Sequence, residues 1–267
     1  MLKLSKKAFD SVTALFHSVS GIRLTEQKQA LVAGRLQKLA QEAGEPDLER
    51  YVDRLMSGGT PAEEMARVID RLTTNETYFF REPQHFNHLS AHLRNLPTGT
   101  DVRAWSAASS SGEEAYSTAM LMADVLGNAP WGIWGTDLSH SVVASAQRGL
   151  YPLERARMVP PDYLKRFCLK GQGEHDGQLL VAKTLRQRVQ FIQANLMQPL
   201  PRELPTFDVV FLRNVLIYFD NDAKAQIVRR VLGQLKPDGL LYIGHAESMA
   251  SLNLPIRPLG VAIYTHA

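Results

Sequence analysis

Residues 104–120 read AWSAASSSGEEAYSTAM: an apolar run, a turn of small residues, then a helical pattern that opens on two acids. Nucleotide-binding turns share this layout, and there glycines let the backbone approach a pyrophosphate at a helix amino terminus. Here Gly112 is the only glycine, and Glu113 and Glu114 follow at once. Two carboxylates suit the positive end of a helix dipole but repel a diphosphate, and no GxxxxGK[ST] lysine follows. A ligand with adenosine at one end and positive charge at the other fits better; S-adenosylmethionine, with its sulfonium and ammonium, has that form. The same glutamates would also serve simply to start a helix, so the turn alone leaves the ligand open. Asp137 closes the next apolar run, WGIWGTD, at the position where an acid accepts hydrogen bonds from ribose hydroxyls. It would serve NAD equally well, or cap the helix that follows.

These residues need a sheet to hold them. VRAWSA, WGIWGTD, FDVVFLRN and LLYIGHAE read as strands, and residues 260–266 as a last one. The helical patterns EEAYSTAMLMADVL, SHSVVASAQRGL and NDAKAQIVRRVLGQL alternate with them, the last stopped by KPDG. Such alternation predicts a parallel sheet covered by helices, with ligands outside the carboxyl ends of its strands. Residues 4–72 instead show helical spacing throughout, as in Phe9, Val12, Phe16 and Val19, interrupted by Gly21, EAGEPD and SGGTP. Thr60 and Pro61 mark a helix start. The expected organisation is a helical domain over residues 1–75, a linker and helix over 76–95, and a ligand-binding domain over 96–267. Turn signals GQG and HDG place a hairpin insertion at about 168–194.

The chain has 267 residues, with 30 Lys and Arg against 27 Asp and Glu. That near-balance argues against a polyanion binder. Cys168 is the only cysteine, so no internal disulfide forms. The charged start MLKLSKKAFD lacks the apolar core of a signal peptide, and no apolar run reaches membrane-spanning length. A cytoplasmic protein is expected.

Three further stretches, together with WSAASSSGEEAYS and GTDLS, resemble the CheR-type chemotaxis receptor methyltransferases over nearly the whole chain. They are TTNETYFFREPQHF (73–86), FLRNVLIYFD (211–220) and LKPDGLLYIGHAES (235–248). The resemblance implies an α/β fold: a Rossmann-like class I methyltransferase sheet, a small β-hairpin subdomain insertion and an all-helical amino-terminal domain. It implies methyl transfer from S-adenosylmethionine to glutamate side chains of chemoreceptors, giving methyl esters. Carried over residue by residue, Asn75, Thr77 and Arg81 would contact the methionine end of the cofactor. Ser106, Ala107 and Glu113 would line its turn, with Glu114 an alternative to Glu113, and Asp137 would hold the ribose. Asn195 and Leu196 would lie against adenine, and Arg213 and Asn214 at the cofactor's edge. Arg81 and Tyr218 would stand nearest the reacting methyl.

The chemistry needs no general base, because a glutamate carboxylate with a reference pKa of about 4.3 is already ionised at neutral pH. The enzyme has only to align oxygen, carbon and sulfur, and to keep water out. No Ser/His/Asp order and no metal-ligand cluster is apparent; His85 and His245 read as structural, and Phe79 and Phe80 as packing. Arg81 suits a two-pronged grip on a carboxylate, the substrate's or the cofactor's.

In this family a basic face of the amino-terminal helices is linked to receptor recognition. Lys28, Arg35 and Lys38, spaced by seven and three, are the candidates here. At the hairpin, Lys170, Arg186 and Arg188 are candidates for gripping a receptor carboxyl-terminal peptide by strand addition. A monomer is expected, with no nucleic acid partner and no membrane insertion. The alternatives are a methyltransferase acting on RNA or a small molecule, and a non-catalytic cofactor-sensing module.

Overall fold

The computed structural model describes residues 4–267. Met1, Leu2 and Lys3, the first residues of the segment read as lacking a leader, lie outside them. The chain divides into two compact units, one of residues 1–74 with 218–223, the other of 75–217 with 224–267. The first segment of the helical unit ends at Thr74 and the second unit begins at Asn75.

Among its described residues the first unit holds four α-helices along residues 4–74: α1 (Lys6–Ser20), α2 (Gln29–Glu42), α3 (Leu48–Met56) and α4 (Ala62–Leu72). Local chemistry sets their ends. The Ser5 hydroxyl accepts the Ala8 amide at the start of α1, and Gly21, left-handed at φ 74°, donates its amide to His17 at the end. Asp47 caps α3 by accepting from Arg50 N. Thr60 does not cap α4; Pro61 precedes that helix, and the Thr60 hydroxyl donates weakly to the last carbonyls of α3 instead. Phe9, Val12 and Phe16 of α1 meet Val32, Leu36, Tyr51, Leu55 and Leu72 in one core.

The second unit opens with α5 (Pro83–Arg94), β1 (Val102–Ala107), α6 (Glu113–Leu126), β2 (Trp131–Asp137) and α7 (His140–Arg148). Then come β3 (Leu150–Pro152), α8 (Pro161–Phe167), β4 (Cys168–Lys170), β5 (Gln178–Val181), α9 (Lys183–Arg186) and β6 (Val189–Gln193). β7 (Phe207–Leu212), α10 (Asn221–Leu232), β8 (Leu235–Ile243), β9 (Ile256–Gly260) and β10 (Ile263–His266) complete it, the first residues of α10 belonging to the helical unit.

The main sheet runs β6-β2-β1-β7-β8-β10-β9. Its first five strands are parallel, while β10 runs antiparallel to both β8 and β9. The chain leaves β1 in one direction through β2 to β6, then returns to β7 on the other side of β1. This reversal makes the carboxyl ends of β1 and β7 a topological switch point. The strands are apolar on both faces, as burial beneath helices requires; Trp105, Phe207, Phe211 and Tyr242 are fully buried.

Three sequence expectations change. KPDG does not stop α10: the helix ends at Leu232, and Lys236 to Gly239 lie inside β8, where a register shift opposite Phe207/Val209 absorbs the proline. The carboxyl-terminal strand is a hairpin of β9 and β10, bent at Val261–Ala262. The small sheet, ordered β3-β5-β4, begins at Leu150, and Val189–Gln193, assigned above to the insertion at 168–194, form β6 of the main sheet. β6 pairs with β2 along five residues, a stronger constraint than local turn signals.

Candidate active site

The turn after β1 explains its own composition. Ala108 and Ser110 adopt left-handed backbone, φ 70° and 49°, where side chains usually cost about 1–2 kcal/mol each. The neighbouring strand holds them there: Ser109 N donates to Thr136 O at 2.8 Å and Ser110 N to Asp137 Oδ2 at 2.8 Å. The turn is thus latched to β2, and glycine is required only at Gly112. There φ is 95°, and a Cβ would fall 2.8 Å from Ala146 Cβ and 2.9 Å from Phe191 Cζ.

Asp137, 8 % exposed, stands where its strand ends. Its Oδ1 accepts from Ser139 N at 3.0 Å, while Oδ2 takes the Ser110 amide. The Asp137 carbonyl accepts Ala194 N at 2.9 Å, which brings Asn195 and Leu196 beside it. Asn195 turns its own loop by accepting Met197 N at 2.9 Å, and Leu196 is buried.

At the end of β7 lies a charge network. The Arg213 side chain, 1 % exposed, reaches Glu82 Oε2 at 3.2 Å and Glu114 Oε2 at 3.1 Å. It also donates to the Arg81 carbonyl. Glu114 Oε1 accepts from the Ser106 hydroxyl at 2.6 Å. Burial pushes the Glu114 carboxyl above its usual range, and Arg213 opposes that shift. Burial works in the same direction on Glu82, but Arg213, Asn214 and His245 together hold its carboxyl below the usual range. Glu113 points elsewhere: fully buried, it meets Arg155 Nη1 at 2.5 Å and the Ser111 hydroxyl at 2.7 Å. Of the two glutamates, Glu114 is therefore the one that joins Ser106 and Arg213.

The segment before α5 closes on the same turn. The Ser110 hydroxyl donates to Asn75 O at 3.3 Å, and Phe80 N donates to Ser117 Oγ at 2.9 Å. Phe79 and Phe80 are buried packing residues, as expected. Arg81 Nη1 donates to Glu76 O at 3.0 Å, with its guanidinium 5.7 Å from the Tyr78 ring centroid. Arg81 and Thr77 both remain partly exposed. Phe80, Glu82, Ala108, Ser110 and Asn214 all have positive φ, a concentration of backbone strain typical of functional sites.

Glu82, His85 and His245 bring ligand-type atoms within 4.8 Å of one another. Arg213 already supplies positive charge to Glu82 there. Burial, with Arg213 nearby, pushes the His85 imidazole down to about 4, so that ring is neutral at pH 7.

The structure thus gathers Asn75, Ser106, Ala107, Glu114, Asp137, Asn195, Leu196, Arg213, Asn214 and the Arg81 backbone at the carboxyl end of the parallel strands. Tyr218 belongs to the helical unit, where its carbonyl accepts Arg23 N at 3.1 Å. Of the basic candidates, Lys28, Lys38 and Lys170 are exposed. Arg35 instead closes the carboxyl end of α4, donating to Leu72 O at 2.8 Å and Thr73 O at 3.0 Å. Arg186 bonds Val181 O, and Arg188 bonds Ala129 O and stacks over Trp131. Cys168 is half-buried, its thiol pushed up to about 12 by desolvation. Glu82 and Glu247 were missed from sequence. Glu247 follows β8 as Asp137 ends β2, and that analogy was its one legible signal.

The comparisons agree with this architecture. Residues 7–73 match the family model described as "CheR methyltransferase, all-alpha domain", and residues 75–264 that described as "CheR methyltransferase, SAM binding domain". The chain is 37 % identical to chemotaxis protein methyltransferases of Salmonella typhimurium and Escherichia coli, covering 98 % of this chain and 91 % and 92 % of theirs. It is 35 % identical to chemotaxis protein methyltransferase 2 of Pseudomonas aeruginosa, covering 98 % of this chain and 94 % of that one. The chain is an S-adenosylmethionine-dependent enzyme belonging to the CheR methyltransferase family.

Proposed function

We propose that this enzyme esterifies glutamate side chains of chemoreceptors at the carboxyl ends of β1, β2, β6 and β7. The observation that carries the reading is the set of acceptors: Asp137 at the end of β2 and Glu114 beside β1, with no lysine in the turn for a phosphate. These residues fit a ligand with ribose hydroxyls and a cationic end. Asp137 would accept from the ribose, Asn195 and Leu196 border the adenine, and Ser106, Ala107, Asn75 and Thr77 line the methionine end. Glu114 takes the place proposed above for Glu113, because it joins Ser106 and Arg213, both proposed at the cofactor, whereas Glu113 turns to Arg155 and Ser111. S-adenosylmethionine supplies a methyl on positively charged sulfur, so that attack by a carboxylate oxygen forms the O–CH3 bond, breaks S–CH3 and releases S-adenosylhomocysteine.

The protein's part is alignment. Arg213 and Asn214 fix the floor, and Arg81, held over Tyr78, orients a carboxylate. Well-aligned partners can save roughly 7–11 kcal/mol of barrier. The substrates would be the methylation helices of cytoplasmic receptor domains, met by Lys28 and Lys38. The edge strand β4, with Leu169 60 % exposed beside Lys170, would take a receptor carboxyl-terminal peptide by strand addition. A cytoplasmic monomer completes the reading.

The test uses labelled S-adenosylmethionine and receptor-containing membranes. The label should leave as methanol in mild alkali, and Arg81→Ala should nearly abolish transfer while folding normally. Alkali-stable label would refute ester formation, and near-normal turnover in the variant would remove Arg81 from the mechanism.

A further inference from the structure

Glu247 holds more backbone than any local role requires. Its Oε2 accepts Asn214 N at 2.8 Å and Gly244 N at 2.8 Å, and its Oε1 accepts Leu216 N at 2.6 Å and Ile217 N at 3.3 Å. Three of these four amides belong to the loop that leaves β7 directly after Arg213. The fourth belongs to the turn that ends β8, closed by Glu247 N donating to Gly244 O at 2.9 Å. One carboxylate therefore ties together the carboxyl ends of two adjacent parallel strands.

The loop needs this partner. Asn214 sits at φ 58°, a conformation that side chains avoid, and no ladder hydrogen bond reaches the amides beyond Leu212. Amides left without a partner in a half-buried loop carry the full desolvation cost. Gly244 makes the approach possible, since a Cβ there would fall 2.7 Å from both Asn214 Nδ2 and Glu247 Oε2. Burial raises the Glu247 carboxyl, and its amide partners oppose that shift as they would for an ionised acceptor.

We infer that Glu247 is a positioning residue for methyl transfer, a carboxylate clamp that holds the Arg213–Asn214 floor of the cofactor site through the amides of Asn214, Leu216 and Ile217. The inference rests on the proposed placement of Arg213 and Asn214 at the cofactor. It does not depend on which substrate accepts the methyl.

Both oxygens accept from two amides each, so the isosteric Glu247→Gln variant turns an NH2 group toward two N–H donors. A residue that acted only by filling space would tolerate that change. In the full-length protein, Glu247→Gln should weaken S-adenosylhomocysteine binding by about tenfold or more, little better than Glu247→Ala. Amide hydrogen exchange across 214–217 should speed up by a similar factor. The KM for S-adenosylmethionine should rise with it while the KM for receptor membranes stays at the wild-type value. Gly244→Ala, which crowds Asn214 from the other side, should reproduce the binding loss.

Wild-type exchange and affinity in Glu247→Gln overturn the clamp. Faster exchange with unchanged cofactor affinity overturns its role in the reaction and removes Arg213–Asn214 from the cofactor site. Because the titration uses S-adenosylhomocysteine alone, either result is separable from failure to find methyl esters on receptors.

Discussion

Replacing Arg213 with methionine isolates the buried charge network from packing. Methionine retains an unbranched stem against Phe86 and Phe211, whose ring centroids both lie 5.7 Å from the guanidinium carbon. The charge is lost, and with it the contacts to Glu82 and Glu114 at 3.2 and 3.1 Å and the hydrogen bond to the Arg81 carbonyl. Removing one member of a buried ionic cluster costs about 3–5 kcal/mol, because the partners stay buried without compensation. At about 2–4 °C per kcal/mol for a domain of this size, the unfolding midpoint should fall by roughly 6–20 °C at pH 8.

The sign of the pH dependence follows from the two carboxylates. Burial already holds Glu114 above its unfolded value of 4.5 against the pull of Arg213, and without that pull it climbs further. Glu82, kept low in part by Arg213, moves up as well. A carboxylate whose folded pKa exceeds its unfolded one binds more protons in the folded state. Stability therefore falls as pH rises from about 4.5 through the folded value, and returns on acidification. Relative to wild type, the deficit should be smaller at pH 5 than at pH 8. Thermal unfolding followed by circular dichroism at pH 5, 6, 7 and 8 measures it. A deficit below about 2 °C, or one equal at all four pH values, would refute a compensated buried network.

Two further outcomes test the turn and the strand end. Asp137→Asn replaces one acceptor oxygen with a donor facing Ser110 N or Ser139 N, and should weaken S-adenosylhomocysteine binding by about 10- to 100-fold in isothermal titration; an unchanged dissociation constant would end the ribose role. Gly112→Ala combines positive φ with a Cβ 2.8 Å from Ala146 Cβ, and should cost about 2–4 kcal/mol in urea unfolding. A loss under about 0.5 kcal/mol would show that the turn is looser than its packing implies.

Much of this protein was legible from local pattern. Period-3.6 spacing located the helices of the first unit, and Gly21 marked a true helix end. Apolar runs closing on Ser106, Asp137 and Arg213 located β1, β2 and β7, because a strand buried on both faces writes its own signature. The motif NETYFFRE, the small-residue turn and LRNVLIYF carried the family. KPDG misled for an equally local reason: its turn chemistry was overridden by pairing with Phe207 and its neighbours in β7.

By itself, then, the sequence determined the helices of the first unit, the strands β1, β2 and β7, and which residue types crowd those strand ends. Only the tertiary structure decided how those ends are wired. Arg213 meets Glu114 across 99 residues, and Glu247 meets Asn214 across 33. It also decided that Glu114 and not Glu113 faces Ser106, and that Thr136 and Asp137 latch the Ala108–Ser110 turn in conformations glycine would adopt unaided. The reason is geometric: propensity and periodicity act over one or two turns of chain, whereas the order β2-β1-β7-β8 sets which strand ends become neighbours.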